Sequence, residues 1–286
     1  MQAGGWEIVD TPAGSELRAV SRTHQVALVT IDWGWPEDVQ RWREAARRLT
    51  TGDFMLMITQ PVAELGWARA ANMAIEGAPA EVVILFDSGV EVTGDVAGPL
   101  VEALQDPTVA IAGPFGVRGK GTLKEFESHP GPEVDAIEGY CMAFRRADAL
   151  AVGGFDRRFA FYRIADIEFS FRLRAEGGRR ALVVAGLPLL KHAHRLWEAT
   201  SEAERARLSR KNFYRFLDRW GGRDDLLTDR GEQGGEAQRH QQEARQAGDP
   251  GTRSGPDAGA RTGDGPGHDR PPGPGSDQDA QHHRGG

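Results

Sequence analysis

The chain carries one cysteine, Cys141, in 286 residues. An internal disulfide framework is thereby excluded, and a reducing compartment is expected. No apolar run reaches the length of about 18 residues that a membrane-spanning helix needs. Positive charge is not in excess: the formal net charge is −7, which argues against a general nucleic-acid binder. The first ten residues, MQAGGWEIVD, lack the basic and apolar regions of a signal peptide. A cytoplasmic protein is expected, with peripheral contact to a membrane-borne acceptor left open. The most extended lack lies after Leu227, where 59 residues contain no Val, Ile, Leu, Met, Phe, Trp, Tyr or Cys. Such a stretch cannot bury enough surface to offset its ordering entropy. A folded domain over residues 1–222 and a disordered Gly/Pro/Gln-rich tail over 223–286 are therefore expected. The four tail histidines (His240, His268, His282 and His283) read as scattered tail residues.

What the first four-fifths of the chain does contain is alternation. Apolar strand signals over 26–31, 54–59, 82–86 and 109–112 are interleaved with helical periodicity over 36–49, 64–75 and 99–104. The 36–49 stretch has Pro36 at its start and Val39, Trp42, Ala46 and Leu49 at helical spacing, as an amphipathic helix requires. A weaker strand signal covers 6–9, and an apolar strand is expected over 181–190. Residues 198–220 read as helical, with a cluster of bases (Arg205, Arg207, Arg210, Lys211 and Arg215) assigned to a solvated face. This order predicts an α/β fold with a largely parallel sheet wrapped by helices. Ligands bind such sheets beyond the carboxyl ends of the strands.

The densest chemistry lies between residues 138 and 177: EGYCMAFRRADALAVGGFDRRFAFYRIADIEFSFRLRAEG. Tyr140, Met142 and Phe144 alternate against Cys141 and Ala143, so 139–146 reads as a half-buried strand. A short helix over 147–152 is stopped by Gly153-Gly154. An aromatic loop over 155–162 then leads to Asp166, which opens a helix with Glu168 in its first turn. A carboxylate there is stabilised by free amides and the macrodipole, so a simple cap would account for Asp166 taken alone. An aromatic platform ahead of a held carboxylate also suits general-base work on a sugar.

That order resembles the acceptor and catalytic-base segment of family-2 inverting glycosyltransferases with the GT-A fold, whose pattern is roughly G-x-x-M-x-F-R-R, then G-G-F-D-E-x-F, then E-D-x-D. The last element is here Ala165-Asp166-Ile167-Glu168, with one acidic position replaced by alanine. Two earlier stretches are similar to the same family. Residues 65–72, LGWARAAN, resemble its N-x-G-x-A-x-A-x-N helix entry, and Asp87-Ser88-Gly89 stands where its D-x-D follows an apolar strand. The match runs from about residue 64 to residue 194.

The resemblance implies a GT-A-like (Rossmann-like) sheet and transfer of a sugar from a nucleotide-sugar donor to a glycan, glycolipid or small-molecule acceptor. It implies Asp166 as base and Gly139, Phe155, Phe161, Tyr162 and Glu168 around the acceptor. Asp87, Ser88 and Arg69 would meet the donor. Mg or Mn would sit among Asp87, Glu91, His192 and His194, because hard cations take carboxylate oxygen and offset a departing diphosphate. Gly89 occupies the second Asp position of the D-x-D. Glu91 could supply the missing oxygen, basic side chains could replace the metal, or catalysis could be lost, leaving a protein that binds a nucleotide sugar or a partner without transfer. Nucleotidyl transfer is the third reading, and no glycine-rich basic phosphate loop supports it. At the N-terminus two registers are open: residues 26–32 as the family's first strand with helix 36–49 after it, or residues 6–10 as its second strand.

Overall fold

A computed structural model describes residues 5–11, 14–20, 23–60 and 66–229. Strands β1 (Gly5–Thr11) and β2 (Gly14–Val20) form an antiparallel hairpin. There follow β3 (His24–Ile31), α1 (Pro36–Leu49), β4 (Phe54–Thr59), α2 (Trp67–Gly77), β5 (Ala80–Phe86), β6 (Val90–Val92) and α3 (Ala97–Ala103). Next come β7 (Val109–Gly113), β8 (Gly116–Gly119), β9 (Phe126–His129), β10 (Glu133–Val134), β11 (Ala136–Ile137) and β12 (Cys141–Arg145). The remainder is α4 (Arg146–Ala151), α5 (Ala165–Ala175), β13 (Arg180–Val183), β14 (Leu189–Lys191), α6 (Arg195–Ala199) and α7 (Glu202–Trp220).

The main sheet has seven strands in the order β10-β13-β7-β12-β5-β3-β4. β3 runs parallel to both β4 and β5, and β13 runs parallel to β7. β12 enters antiparallel between β5 and β7. Strand β3 shows why the sheet is buried on both sides. Its Ala27, Val29 and Ile31 face the core beneath α2, while Val26 and Leu28 pack under α1 with Trp42 and Ala46. Alternate side chains of a strand face opposite sides, so an unbroken apolar run is what a doubly covered strand needs. A third cluster joins α5 to α7 through Phe171, Phe216 and Trp220.

Helix α1 follows its sequence rules: Pro36 sits in its first turn beside Glu37 and Asp38, and Arg47 and Arg48 close it, each sign matching the helix dipole. The register that makes residues 26–32 the first sheet strand is the one the structure adopts. The 6–9 signal belongs instead to the β1–β2 hairpin, whose second strand the sequence reading did not include.

Two expectations need correction. The apolar stretch 181–190 is not one strand. It breaks after Val183, turns at Gly186 with φ +73°, and resumes as β14, which pairs with β6 in a separate two-stranded sheet. Apolar content alone cannot reveal such a turn when it needs only one glycine with positive φ. The 198–220 helix is two helices, because Ser201 caps α7 by accepting the Glu204 N–H at 3.4 Å. A small antiparallel sheet, β11-β8-β9, has strands too short to carry a readable period. Past the expected boundary at 222, the chain still packs on the domain: Arg174 donates to the Leu226 carbonyl and Thr228 N–H donates to Asp135. Positions 64 and 65 of the expected helix 64–75, and the expected tail over 230–286, lie outside the described residues.

Candidate active site

The cleft opens where the carboxyl ends of β3 and β5 meet the start of β12 and of α5. It encloses about 490 Å³ and has two walls, one from the ends of β3 and β5 with the 191–194 segment (Trp33, Asp87, Ser88, Lys191 and His194) and one from around the starts of β12 and α5 (Glu138, Tyr162, Arg163, Ile164 and Asp166), which meet where His194 lies on Tyr162 and Lys191 near Glu138. A cleft of this size and mixed lining suits a small-molecule ligand.

Asp166 is held by main chain. Gly139 N–H donates to its Oδ2 at 3.0 Å, and Ile167 N–H donates to Oδ1 at 3.0 Å. Ser170, one turn on, donates its hydroxyl to the Asp166 carbonyl and accepts the Ile137 N–H, tying the start of α5 to β11. Burial raises the Asp166 carboxyl above the ordinary carboxylate range, against the two amide bonds and the nearby Arg163, which pull it down. A carboxylate moved toward neutrality and fixed at both oxygens is suited to taking a proton. Just ahead of it, Ile164 has φ +71°, a strained conformation for a β-branched residue. Glycine, not isoleucine, is what local backbone preference would place there, so tertiary contacts hold the turn.

The aromatic loop does not serve as one platform. Tyr162 lines the cleft, and burial pushes its phenol well up. Phe155 does not line it: the ring stacks on Phe169 with centroids 3.9 Å apart and meets Trp67 edge-on. Its backbone is pinned by Asn72, whose side-chain amide donates to the Phe155 carbonyl and accepts the Phe155 N–H, both at 2.8 Å. Phe161 is buried and packs on Tyr162 from behind. The free amides of α2 at Trp67 and Ala68 bond the carbonyls of Ala160 and Phe159. The loop is thus a cap for α2 as well as a wall. Glu168 is also removed from the acceptor set: it is buried, bonded to Arg172 at 2.8 Å and close to Arg219 at 3.7 Å, joining α5 to α7. Arg69 is exposed on α2 and does not line the cleft.

The four expected metal ligands separate into two pairs. Glu91 and His192 satisfy each other at 2.8 Å, and Glu91 does not line the cleft. Asp87 and His194 face each other across 3.5 Å inside it. Two donors at right angles on a Mg-sized ion are roughly 3 Å apart, so this second pair, at 3.5 Å, would have to close slightly to share a divalent ion. The His194 ring lies on Tyr162 with centroids 4.3 Å apart, and its Nδ1 is buried with no hydrogen-bond partner among the described residues. Among the described residues, no group of three or more His, Cys, Asp and Glu side chains converges on one point. An ion here would take its other ligands from a donor's phosphates and water, as Mg²⁺ commonly does.

Gly89 explains the broken D-x-D. A Cβ at this position would stand 2.5 Å from the Ala193 carbonyl oxygen and 2.9 Å from Asp87 Oδ1. The segment 191–195 lies directly on the turn, with His192 N–H donating to the Gly89 carbonyl at 2.8 Å. That segment is in turn clamped from outside. Arg195 Nε bonds the buried Asp38 at 2.8 Å, Asp38 bonds Arg41 at 2.6 Å, and Arg41 lies 3.9 Å from Glu91, the partner of His192. Burial would raise the Asp38 carboxyl, but bonds from Arg195 and Arg41 hold it below the usual range. Sequence reading missed Asp38 because an acidic residue in a first helical turn needs no further explanation. It also missed Glu138, Tyr140 and Trp33, for which no motif exists.

No protein-family model and no curated protein matches the chain. Among solved structures, the fold is similar to GalNAc-T7, crystallised with UDP, GalNAc and Mn²⁺, at a TM-score of 0.54 and 13% identity. That likeness covers 73% of this chain and 50% of the other, so the chain spans half the length of that protein. A looser likeness, at a TM-score of 0.43 and 13% identity, is to the mannosyltransferase PcManGT from Pyrobaculum calidifontis in complex with GDP-Man and Mn²⁺, covering 85% of this chain and 84% of that one. The fold is GT-A-like: a mostly parallel sheet flanked by helices, of the kind found in glycosyltransferases.

Proposed function

We propose that the protein transfers a sugar, most simply a hexose, from a nucleoside-diphosphate donor to a hydroxyl acceptor with inversion, as the resemblance to family 2 implies. The observation that carries this reading is Asp166, a desolvated carboxylate fixed by two main-chain amides in the lining of the cleft. In the proposed step the acceptor O–H gives its proton to Asp166 as the acceptor oxygen bonds the anomeric carbon. The bond from that carbon to the phosphate oxygen breaks, and its electron pair leaves with the nucleoside diphosphate. Mg²⁺ or Mn²⁺ held by Asp87 and His194 would supply positive charge to the departing diphosphate. Lys191 and Ser88, on the same wall, would bind phosphate oxygens. Tyr162 and the Gly139 turn would shape the acceptor side. The donor class is supported by the UDP, GalNAc and Mn²⁺ held by the GalNAc-T7 structure.

The test combines binding with turnover. A thermal-shift panel of UDP-, GDP- and dTDP-sugars, with and without Mn²⁺, should give a metal-dependent rise with one nucleotide. Asp166→Asn should keep that shift and lose transfer, and turnover in that variant would sink the base assignment. Gly89 and the two-residue ligand set favour one alternative, a GT-A-fold protein that binds a nucleotide sugar without transferring it. Release of nucleoside diphosphate by the purified wild type would refute it.

A further inference from the structure

One group that lines the cleft is not used by the proposed step. Glu138 lines the cleft one residue ahead of Gly139, the residue whose amide holds Asp166. Its own N–H is spent on the Phe115 carbonyl at 3.0 Å. Its carboxylate lies 3.8 Å from the Lys191 ammonium, feels the Arg163 charge as well, and accepts no hydrogen bond among the described residues. Lys191 in turn lies over the Tyr140 ring at 3.9 Å. The Tyr140 carbonyl accepts the Asp87 N–H at 2.9 Å. Glu138 is therefore linked on one side to the base and on the other, through Lys191 and Tyr140, to the diphosphate wall. Burial raises the Glu138 carboxyl above its ordinary range, with Asp166 adding to the rise and Lys191 opposing it.

An in-line displacement places the anomeric carbon between the leaving phosphate oxygen and the acceptor hydroxyl. A residue that borders both therefore faces the transferred sugar itself. A partly desolvated carboxylate with open lone pairs is a strong acceptor for hydroxyl hydrogens. We propose that Glu138 is a specificity-determining residue that accepts hydrogen bonds from hydroxyls of the donor's sugar ring, selecting a sugar that presents them beside Lys191. This rests on the transferase reading above.

The experiment uses the full chain and measures release of nucleoside diphosphate from UDP-glucose, UDP-N-acetylglucosamine, GDP-mannose and dTDP-glucose. The donor turned over by the wild type is then compared with its singly deoxygenated sugar analogues, for wild type, Glu138→Gln, Glu138→Ala and Glu138→Asp. One deoxy-donor should cost the wild type roughly 10- to 100-fold in kcat/KM, the worth of a hydrogen bond to a charged group. The same analogue should cost Glu138→Ala less than about threefold, because the partner is already gone. Glu138→Asp should recover part of the discrimination, and binding of the free nucleotide should not weaken in any variant, since loss of the Glu138 charge only frees Lys191 for phosphate. Additive losses for every deoxy-donor, or variants that weaken the free nucleotide as much as the sugar nucleotide, would overturn the proposal while leaving the transferase reading intact. A wild type that releases nothing from any donor would overturn both.

Discussion

On the base wall of the cleft, Asp166 is positioned by amides of Gly139 and Ile167 and by Ser170, and the loop ahead of it is locked into the core through Phe155 and Asn72. On the diphosphate wall, position is set by side-chain charge: Asp87 against His194, Glu91 against His192, Asp38 against Arg195 and Arg41. Main-chain bonds survive most substitutions, and they fix one atom at one place. Charge pairs on long side chains adjust, and partly exposed ones are screened by salt. In the proposed reaction the base is thus hung on backbone, and the groups that would admit and release a diphosphate are hung on charges.

The sharpest way to separate the walls is Asp166→Asn, which removes the proton acceptor and keeps one of the two main-chain bonds, because the new amide nitrogen donates and cannot accept the second N–H. Transfer should fall by about a thousandfold, while the metal-dependent thermal shift persists. Because burial raises the Asp166 carboxyl in the folded state, folding favours its protonated form. The stability that this supports is full below the unfolded value of about 3.9 and is lost as pH rises through the raised value. The melting point of Asp166→Asn relative to the wild type should therefore climb as pH rises through that value and fall back toward acid, on top of a constant loss from the main-chain bond that Asn cannot accept. Wild-type activity should drop as pH falls through the same raised value, which a pH–rate profile would read.

The next largest effect belongs to the opposite wall. Gly89→Asp, which restores the D-x-D in sequence, should lower transfer by up to about 100-fold, because the new side chain must push the 191–195 segment off the turn and misplace His194. A gain of activity would show that the segment is mobile enough to yield. Asp38→Asn lies outside the cleft and touches the donor wall only through Arg195 and Arg41. It should weaken Mn²⁺ binding about tenfold, measured by titration, with little change in kcat at saturating metal and donor, and it should lower the melting point by a few degrees. A fall in kcat alone would break the comparison, because it would make the clamp part of the chemistry. The smallest effect is expected from His192→Gln, about threefold or less in donor KM, since its bond to Glu91 is partly exposed.

The sequence was most legible where one local rule decides the outcome. Strands β3, β5 and β7 are apolar runs bounded by breakers, α1 carries its proline and its charges in the right turns, and Asp166 opens a helix as its position indicated. The expected site was legible only in part. Asp87, Ser88, Gly139, Tyr162, Asp166, His192 and His194 do line the cleft, but Phe155, Phe161, Glu168, Arg69 and Glu91 do not. The two histidines were placed together by a two-residue spacing that assumes an extended strand. β14 ends at Lys191, and beyond it each ring takes a different carboxylate.

By itself the chain determined its α/β class, the order of the main strands and helices from β3 to β7, and the carboxylate at the start of α5, because periodicity, breakers and helix ends act over a few neighbouring residues. Tertiary structure alone decided which aromatic residues face the cleft and which fill the core, and that Glu138 faces the open cleft. It also decided that Gly89 is crowded by Ala193 and that Asp38 reaches Arg195 across 157 positions of sequence. Those outcomes depend on packing between segments far apart in the chain, where burial and partner choice are set by three-dimensional neighbours that no local pattern encodes.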